Sequence, residues 1–285
     1  MIDFDASRDA LYRPALRPTV FSSGMRIADV GVDAACAELS RLAYLPFEHD
    51  GSERLRLVEI LGSLGLTSWS GFHAPATGTE AFAAIDNERG DAFVVFRGTA
   101  PGDIKDLATD LNVRPVAWPA GGNVHGGFSA AFTSVLAEIE TWLQRHAARS
   151  TLTLAGHSLG AALATLAMSH WQANRLVTFG CPRVGDEKFT ATIAIEKSVR
   201  HVGCCDIVCN VPPAGAWYAD AGSMRYIDRS GLVHNTIGAP AIAADRASAR
   251  REYLARHARP GNVLLRELAD HAPINYVRAL MPVVR

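Results

Sequence analysis

One short stretch constrains this chain more than any other: a serine set between two glycines, Gly156-His157-Ser158-Leu159-Gly160. Thr151-Leu152-Thr153-Leu154 runs into it and reads as a strand. Ala161 to Met168 follows, rich in Ala and Leu, and reads as a helix. A strand that turns this abruptly into a helix leaves no room for side chains on either side of the turn, hence the glycines. Such a turn pushes the Ser158 hydroxyl out of the sheet and sets backbone N–H groups of the helix start beside it. The arrangement suits a serine nucleophile and demands an α/β architecture around it.

The rest of the chain fits that architecture. Glu80 to Ile85 and Ala92 to Phe96 read as strands joined by the Asp86–Gly90 turn, and Arg175 to Phe179 and Val199 to Val202 as further strands. Helical spacing marks Asp33 to Tyr44 (with Asp33 as N-cap), Glu53 to Leu61, Ser129 to His146 and the basic stretch Asp245 to His257. Met224 to Ile227 and Leu232 to Asn235 form a candidate hairpin around Arg229-Ser230-Gly231. Strands alternating with helices predict a mostly parallel sheet covered on both faces. Residues 1–30 contain Pro14 and Pro18 and read as an extended N-terminal arm. Gly238 to Pro240 is too short a linker to divide the chain, so residues 1–285 read as a single domain.

Composition removes several functional classes. Twenty-eight basic residues balance 29 acidic ones, for a net charge of −1. That is not the basic excess of a nucleic-acid binder. No apolar run approaches the ~18 residues of a membrane span. The start, Met1-Ile2-Asp3-Phe4-Asp5, carries acid where a signal peptide carries Lys or Arg. Five cysteines (Cys36, Cys181, Cys204, Cys205 and Cys209) make neither a disulfide framework nor a paired zinc motif. The expectation is reduced thiols and a cytoplasmic protein, or one exported without a classical signal peptide.

A serine hydroxyl needs a base to take its proton and an acid to orient that base. On sheets of this kind the acid and then the base follow the serine along the chain. Asp206 is the best acid, because it follows the strand Val199–Val202, and sites of this type are built at the C-terminal ends of strands. Asp186, Asp220 and Asp228 are its rivals. For the base, His201 precedes Asp206 and His257 lies in an Arg-rich helix, which leaves His234 and His271. The oxyanion needs donors too. The backbone N–H of Leu159 is one, and Thr99, after the strand ending at Phe96, can offer N–H and hydroxyl.

Six blocks, in order, resemble the class 3 (fungal-type) lipase family. They are Phe96-Arg97-Gly98-Thr99, Val124-His125-Gly126-Gly127-Phe128, Gly156-His157-Ser158-Leu159-Gly160, Thr178 to Asp186, Asp206-Ile207-Val208 with Pro212-Pro213, and Asp270-His271. Ser40-Arg41-Leu42-Ala43-Tyr44 resembles that family's N-terminal helix. The resemblance implies an α/β-hydrolase fold and carboxylic-ester hydrolysis. It implies nucleophile Ser158, acid Asp206, base His271 and oxyanion donors Thr99 and Leu159, with no metal or organic cofactor. Family members often carry a lid after the oxyanion residue. Ala100 to Leu111 stands there, and Ile104, Leu107 and Leu111 share one helical face. The expected partner is a lipid or small ester, with transient contact at a lipid surface. The triacylglycerol lipase, phospholipase A1 and feruloyl-type esterase readings share every block, and a non-catalytic lipase-fold module is the other class. Three departures stand out. Asp186 stands where the family usually has Asn, Tyr276 is farther from His271 than the family's aromatic usually is, and the Arg-rich stretch Arg246 to Arg259 is no family block.

Overall fold

The structure is a computed structural model describing residues 3–99 and 114–282. Its centre is an eight-stranded sheet in the order β1-β2-β3-β6-β7-β8-β9-β10. These are β1 (Ser68–Ala74), β2 (Thr79–Asp86), β3 (Asp91–Phe96), β6 (Thr151–His157), β7 (Arg175–Phe179), β8 (Ser198–Gly203), β9 (Ser223–Ile227) and β10 (Val233–His234). The run from β3 through β9 is parallel, and the strands at each edge are antiparallel. A small antiparallel pair, β4 (Pro115–Ala117) and β5 (Asn123–His125), lies apart.

Strand periodicity builds two cores at once. Phe82, Ala84, Phe93 and Val95 face one hydrophobic cluster. Their neighbours Ala81, Ala83, Ile85, Ala92, Val94 and Phe96 face another. Because both faces are covered, the strands read as nearly unbroken apolar runs rather than as alternation. The helices Val32–Leu42 and Pro273–Leu280 cover the first face. Gly126–His146 and Leu159–Trp171 cover the second. The latter is buried from Gly160 to Ser169, which its Ala-rich sequence permits by letting it lie close to the sheet.

The N-terminal segment departs from expectation. Residues 1–30 are not an extended arm. Arg8–Tyr12 and Ile27–Val30 are short helices, Pro14–Leu16 is a 3-10 turn, and Ala10 and Leu11 are fully packed. A buried ion pair holds the segment down. Arg41 pairs with Glu38 at 2.6 Å, both side chains fully buried. The Arg41 guanidinium also donates to the carbonyls of Pro14, Arg17 and Pro18. Glu38 accepts from Thr19 Oγ1 and Val20 N–H.

Two boundaries moved for local reasons. The basic helix begins at Ala239 rather than Asp245, because Pro240 sits in its first turn, where a missing N–H costs nothing. Gly31, not Asp33, caps the helix that starts at Val32. Asp33 instead pairs with Arg175 and His201.

Candidate active site

Four elements deliver the site, all from the carboxyl ends of parallel strands or the loops that face them. Ser158 follows β6, Asp206 follows β8, Thr99 follows β3, and His271 sits between the short helix Arg266–Ala269 and Pro273–Leu280. The Ser158 backbone has φ 59° and ψ −127°, a conformation L-residues rarely adopt. Its N–H donates to Phe179 O at 3.0 Å, and its C=O accepts from Ala161 N–H at 3.0 Å. A Cβ on Gly156 would lie 2.2 Å from Gly160 O, and one on Gly160 would lie 2.1 Å from Phe96 O. Both glycines are required by the backbone crossing itself.

The structure brings Ser158, His271 and Asp206 into one hydrogen-bonded line. His271 Nε2 lies 2.9 Å from Ser158 Oγ. His271 Nδ1 lies 2.8 and 3.0 Å from the two Asp206 oxygens. All three residues are buried. Burial alone would disfavour the Asp206 carboxylate. The His271 imidazole and hydrogen bonds from His271 and Tyr276 outweigh it and hold the carboxyl below its ordinary range. An ionised carboxylate can only accept, so Nδ1 carries the imidazole proton and Nε2 is free to accept from Ser158.

Further residues build the support. Tyr276 OH donates to Asp206 Oδ2 at 2.5 Å and accepts from Gly203 N–H at 3.0 Å. Val208 N–H reaches Asp206 Oδ1 at 2.9 Å. Tyr276 follows His271 by five residues, and the helix Pro273–Leu280 brings its hydroxyl onto the acid. Gly180 has φ 58°, and a Cβ there would lie 2.8 Å from Asp206 Oδ2 and 2.9 Å from His271 Nδ1. Asp270 accepts from Cys205 N–H at 2.8 Å and pairs with Arg266 at 2.7 Å, tying the loop of the base to the loop of the acid. Burial pushes its carboxyl up to about 6.

Thr99 Oγ1 is buried without a hydrogen-bond partner among the described residues. Leu159 occupies the first helical position, where no intrahelical acceptor exists for its N–H. These are the two unspent donors expected for an oxyanion. Ile104, Leu107 and the rest of the candidate lid 100–111 lie outside the described residues.

The rivals are placed elsewhere. Asp186 caps the short helix Glu187–Thr190 and accepts from Asn123. Asp220 pairs with Arg183 and Arg200. Asp228 holds His234 at 2.7 Å, closing the hairpin. His201 stacks on Phe179 and bonds Asp33. His257 packs on Tyr253 and Phe4.

His157 had drawn no role from its sequence position, yet it is fully enclosed beneath the base. Its Nε2 donates to the His271 carbonyl at 2.7 Å, and its Nδ1 accepts from Tyr44 OH at 2.8 Å. Burial, with a smaller contribution from His271, pushes its pKa down to about 3. The sign follows from linkage. Between pH 6.5 and 3 the unfolded chain binds a proton that folded His157 refuses, so stability is lost as pH falls through that window. From pH 7 to pH 5 this histidine should remove about 2 kcal/mol of folding free energy. Urea unfolding of wild type and His157→Gln at both pH values measures it. Equal losses in the two proteins would refute it.

Residues 93–216 match the family model described as Lipase (class 3). A secreted mono- and diacylglycerol lipase 1 of Fusarium solani is 30% identical over 167 residues, covering 53% of this chain and 48% of that protein. Phospholipase A1-II 4 of Oryza sativa subsp. japonica is 31% identical over 198 residues, covering 57% and 49%. The chain therefore spans about half the length of the curated relatives it matches. Among solved structures, the Rhizomucor miehei lipase propeptide complex superposes with a TM-score of 0.57 at 22% identity, over 79% of this chain and 81% of that one. The lipase of Rhizopus microsporus var. chinensis gives 0.56 at 24%, over 74% and 79%. The fold is thus the α/β-hydrolase fold of the fungal lipases.

Proposed function

From the premise that this chain belongs to the class 3 lipase family, we propose that it is a serine carboxylic-ester hydrolase acting on lipid esters through an acyl-enzyme. The observation that carries the reading is the unbroken line from Ser158 Oγ through His271 to Asp206.

In this mechanism Ser158 Oγ attacks the ester carbonyl while its proton passes to His271 Nε2. Asp206 keeps the imidazole in the right tautomer and stabilises its charge. The tetrahedral oxyanion accepts from the N–H of Leu159 and from Thr99. As the C–O bond breaks, His271 returns the proton to the departing alcohol. Water, deprotonated by His271, then attacks the acyl-enzyme. The carboxylic acid leaves, and Ser158 regains its proton. No organic cofactor is part of this scheme.

Lipid as substrate draws support from exposed apolar side chains near the acid and ahead of the helix that precedes the base. Ile207 is 38% exposed beside Asp206, and Leu264 and Leu265, before the helix Arg266–Ala269, are about 60% exposed. Such side chains lose unfavourable hydration at a lipid surface. The relatives carry both monoacyl- and diacylglycerol lipase and phospholipase A1 names, so the headgroup is the open variable. A hydrolysis panel decides it: short soluble esters, emulsified acylglycerols and phospholipid vesicles. Acylglycerol turnover well above phospholipid turnover is expected, and the reverse would make the protein a phospholipase A1. Five free, buried cysteines favour a reducing compartment. No helix among the described residues is long and apolar enough to cross a membrane.

The Thr99 hydroxyl gives a second test of the mechanism. Thr99→Ala keeps the N–H and loses the unspent Oγ1 donor, and one oxyanion donor is worth about 10² to 10³ in rate. Thr99→Ser should retain most activity. Equal kcat in all three proteins would remove the hydroxyl from the mechanism.

A further inference from the structure

Away from the triad, the antiparallel pair β1–β2 places His73 directly opposite Glu80. Directly paired residues project to the same face with neighbouring side chains. His49, from the loop ahead of the helix Gly51–Ser63, completes a group whose ligand atoms all lie within 4.8 Å of one another. His49 Nε2 is 3.6 Å from Glu80 Oε1, and the two imidazoles meet edge to face at 4.7 Å between centroids.

Glu80 divides its carboxylate. Oε2 is held by Arg97, while Oε1 is the oxygen turned to His49. A metal-ligating carboxylate is commonly oriented by an outer partner in this way. Glu48 adds a second, independent sign. Its Oε1 is buried without a hydrogen-bond partner, and it lies over Gly71, where a Cβ would approach it to 1.8 Å. Gly71 and His73 are two apart on β1 and so share a face. An unpaired carboxylate oxygen is thus parked over the same face as the two histidines. Two imidazoles and one carboxylate converge there, and a second carboxylate lies over the same face.

We propose that His49, His73 and Glu80, with water completing the coordination, form a divalent transition-metal site of the zinc class. Two imidazoles and one carboxylate suit Zn²⁺, which takes nitrogen ligands at about 2.0–2.1 Å and carboxylate oxygens at about 2.0–2.2 Å. Drawing His49 inward closes the cluster to that size, and its exposed ring gives the ion a path in. The site fastens a loop and two strands together. Through Glu80 and Arg97 it also reaches the segment that carries Thr99. The proposal does not depend on the ester-hydrolase reading.

The test uses Zn²⁺ itself, titrated by calorimetry into the chelator-stripped, dialysed protein. One ion per chain is expected. His49→Gln and His73→Gln should each weaken binding by more than the roughly ten- to hundredfold that loss of an outer-sphere partner costs. Metal-free melting temperatures of both variants should match wild type, since neither imidazole carries the fold, and Zn²⁺ should raise the melting temperature of wild type only. Co²⁺ gives a second readout: intense visible absorption from a four-coordinate site, lost in the double variant. Equal Zn²⁺ affinity of wild type and the double variant would overturn the proposal, marking binding by scattered surface histidines. So would a wild-type Co²⁺ spectrum no different from that of the aqueous ion.

Discussion

Ser158→Ala should lower kcat by about 10⁴ to 10⁶, because the members of a triad act as a unit and the loss of one forfeits nearly all that they do together. The substitution removes the oxygen that lies 2.9 Å from His271 Nε2. It leaves the elbow glycines and the buried helix behind it in place. The variant should therefore melt within a few degrees of wild type. Residual hydrolysis would come from the oxyanion donors and binding alone. A fluorophosphonate probe should label wild type and fail on the variant. Near-wild-type turnover by purified Ser158→Ala would end the ester-hydrolase reading.

The second large effect separates two histidines. His271→Ala should be nearly inactive on every ester, with the loss in kcat because the base acts on the chemical step. His234→Ala should stay within about tenfold of wild type, or about 1.4 kcal/mol in the barrier. The reason is geometric. His271 is fully buried between Ser158 and Asp206. His234 closes a two-residue strand at the sheet edge, and its partner is Asp228. Losing it loosens a hairpin far along the sheet from β6. Steady-state kinetics on one soluble ester decides between them, and a dead His234→Ala beside an active His271→Ala would reverse the assignment.

What the sequence made readable followed from local rules. The elbow announces itself because a strand, two glycines and an Ala-rich helix each obey short-range steric rules. Asp206 stands out because it ends a strand. Chain order left two histidines standing, since order carries no distances, and the family resemblance favoured His271. The spacing of Tyr276 from His271 reads as a departure from the family pattern, because sequence spacing does not show where the helix Pro273–Leu280 sets the hydroxyl, which is on Asp206. Gly180 was legible only as part of a block; its need for a bare α-carbon arises from two side chains 26 and 91 residues later. β1 escaped notice because Ser68-Trp69-Ser70-Gly71 is only half-buried and lacks a clean two-residue alternation. The helix of Arg8–Tyr12 escaped because so short a helix is not stable by itself and exists through long-range packing.

That packing has a practical side for anyone reshaping the protein. The first eighteen residues look like a tail to be trimmed, or a free end on which to hang a tag. Their carbonyls, however, are what the Arg41 guanidinium is anchored to in the interior. Cutting the chain after Pro18 would leave a buried cation with only Glu38 to answer it, and would flood that part of the core with water. The C-terminal helix would feel the same cut, because Asn275 holds the backbone of Asp5 from both sides. The segment around Asp5 is thus clasped to the helix that follows His271. A change at Asp5 therefore bears on the helix that adjoins the base of the triad.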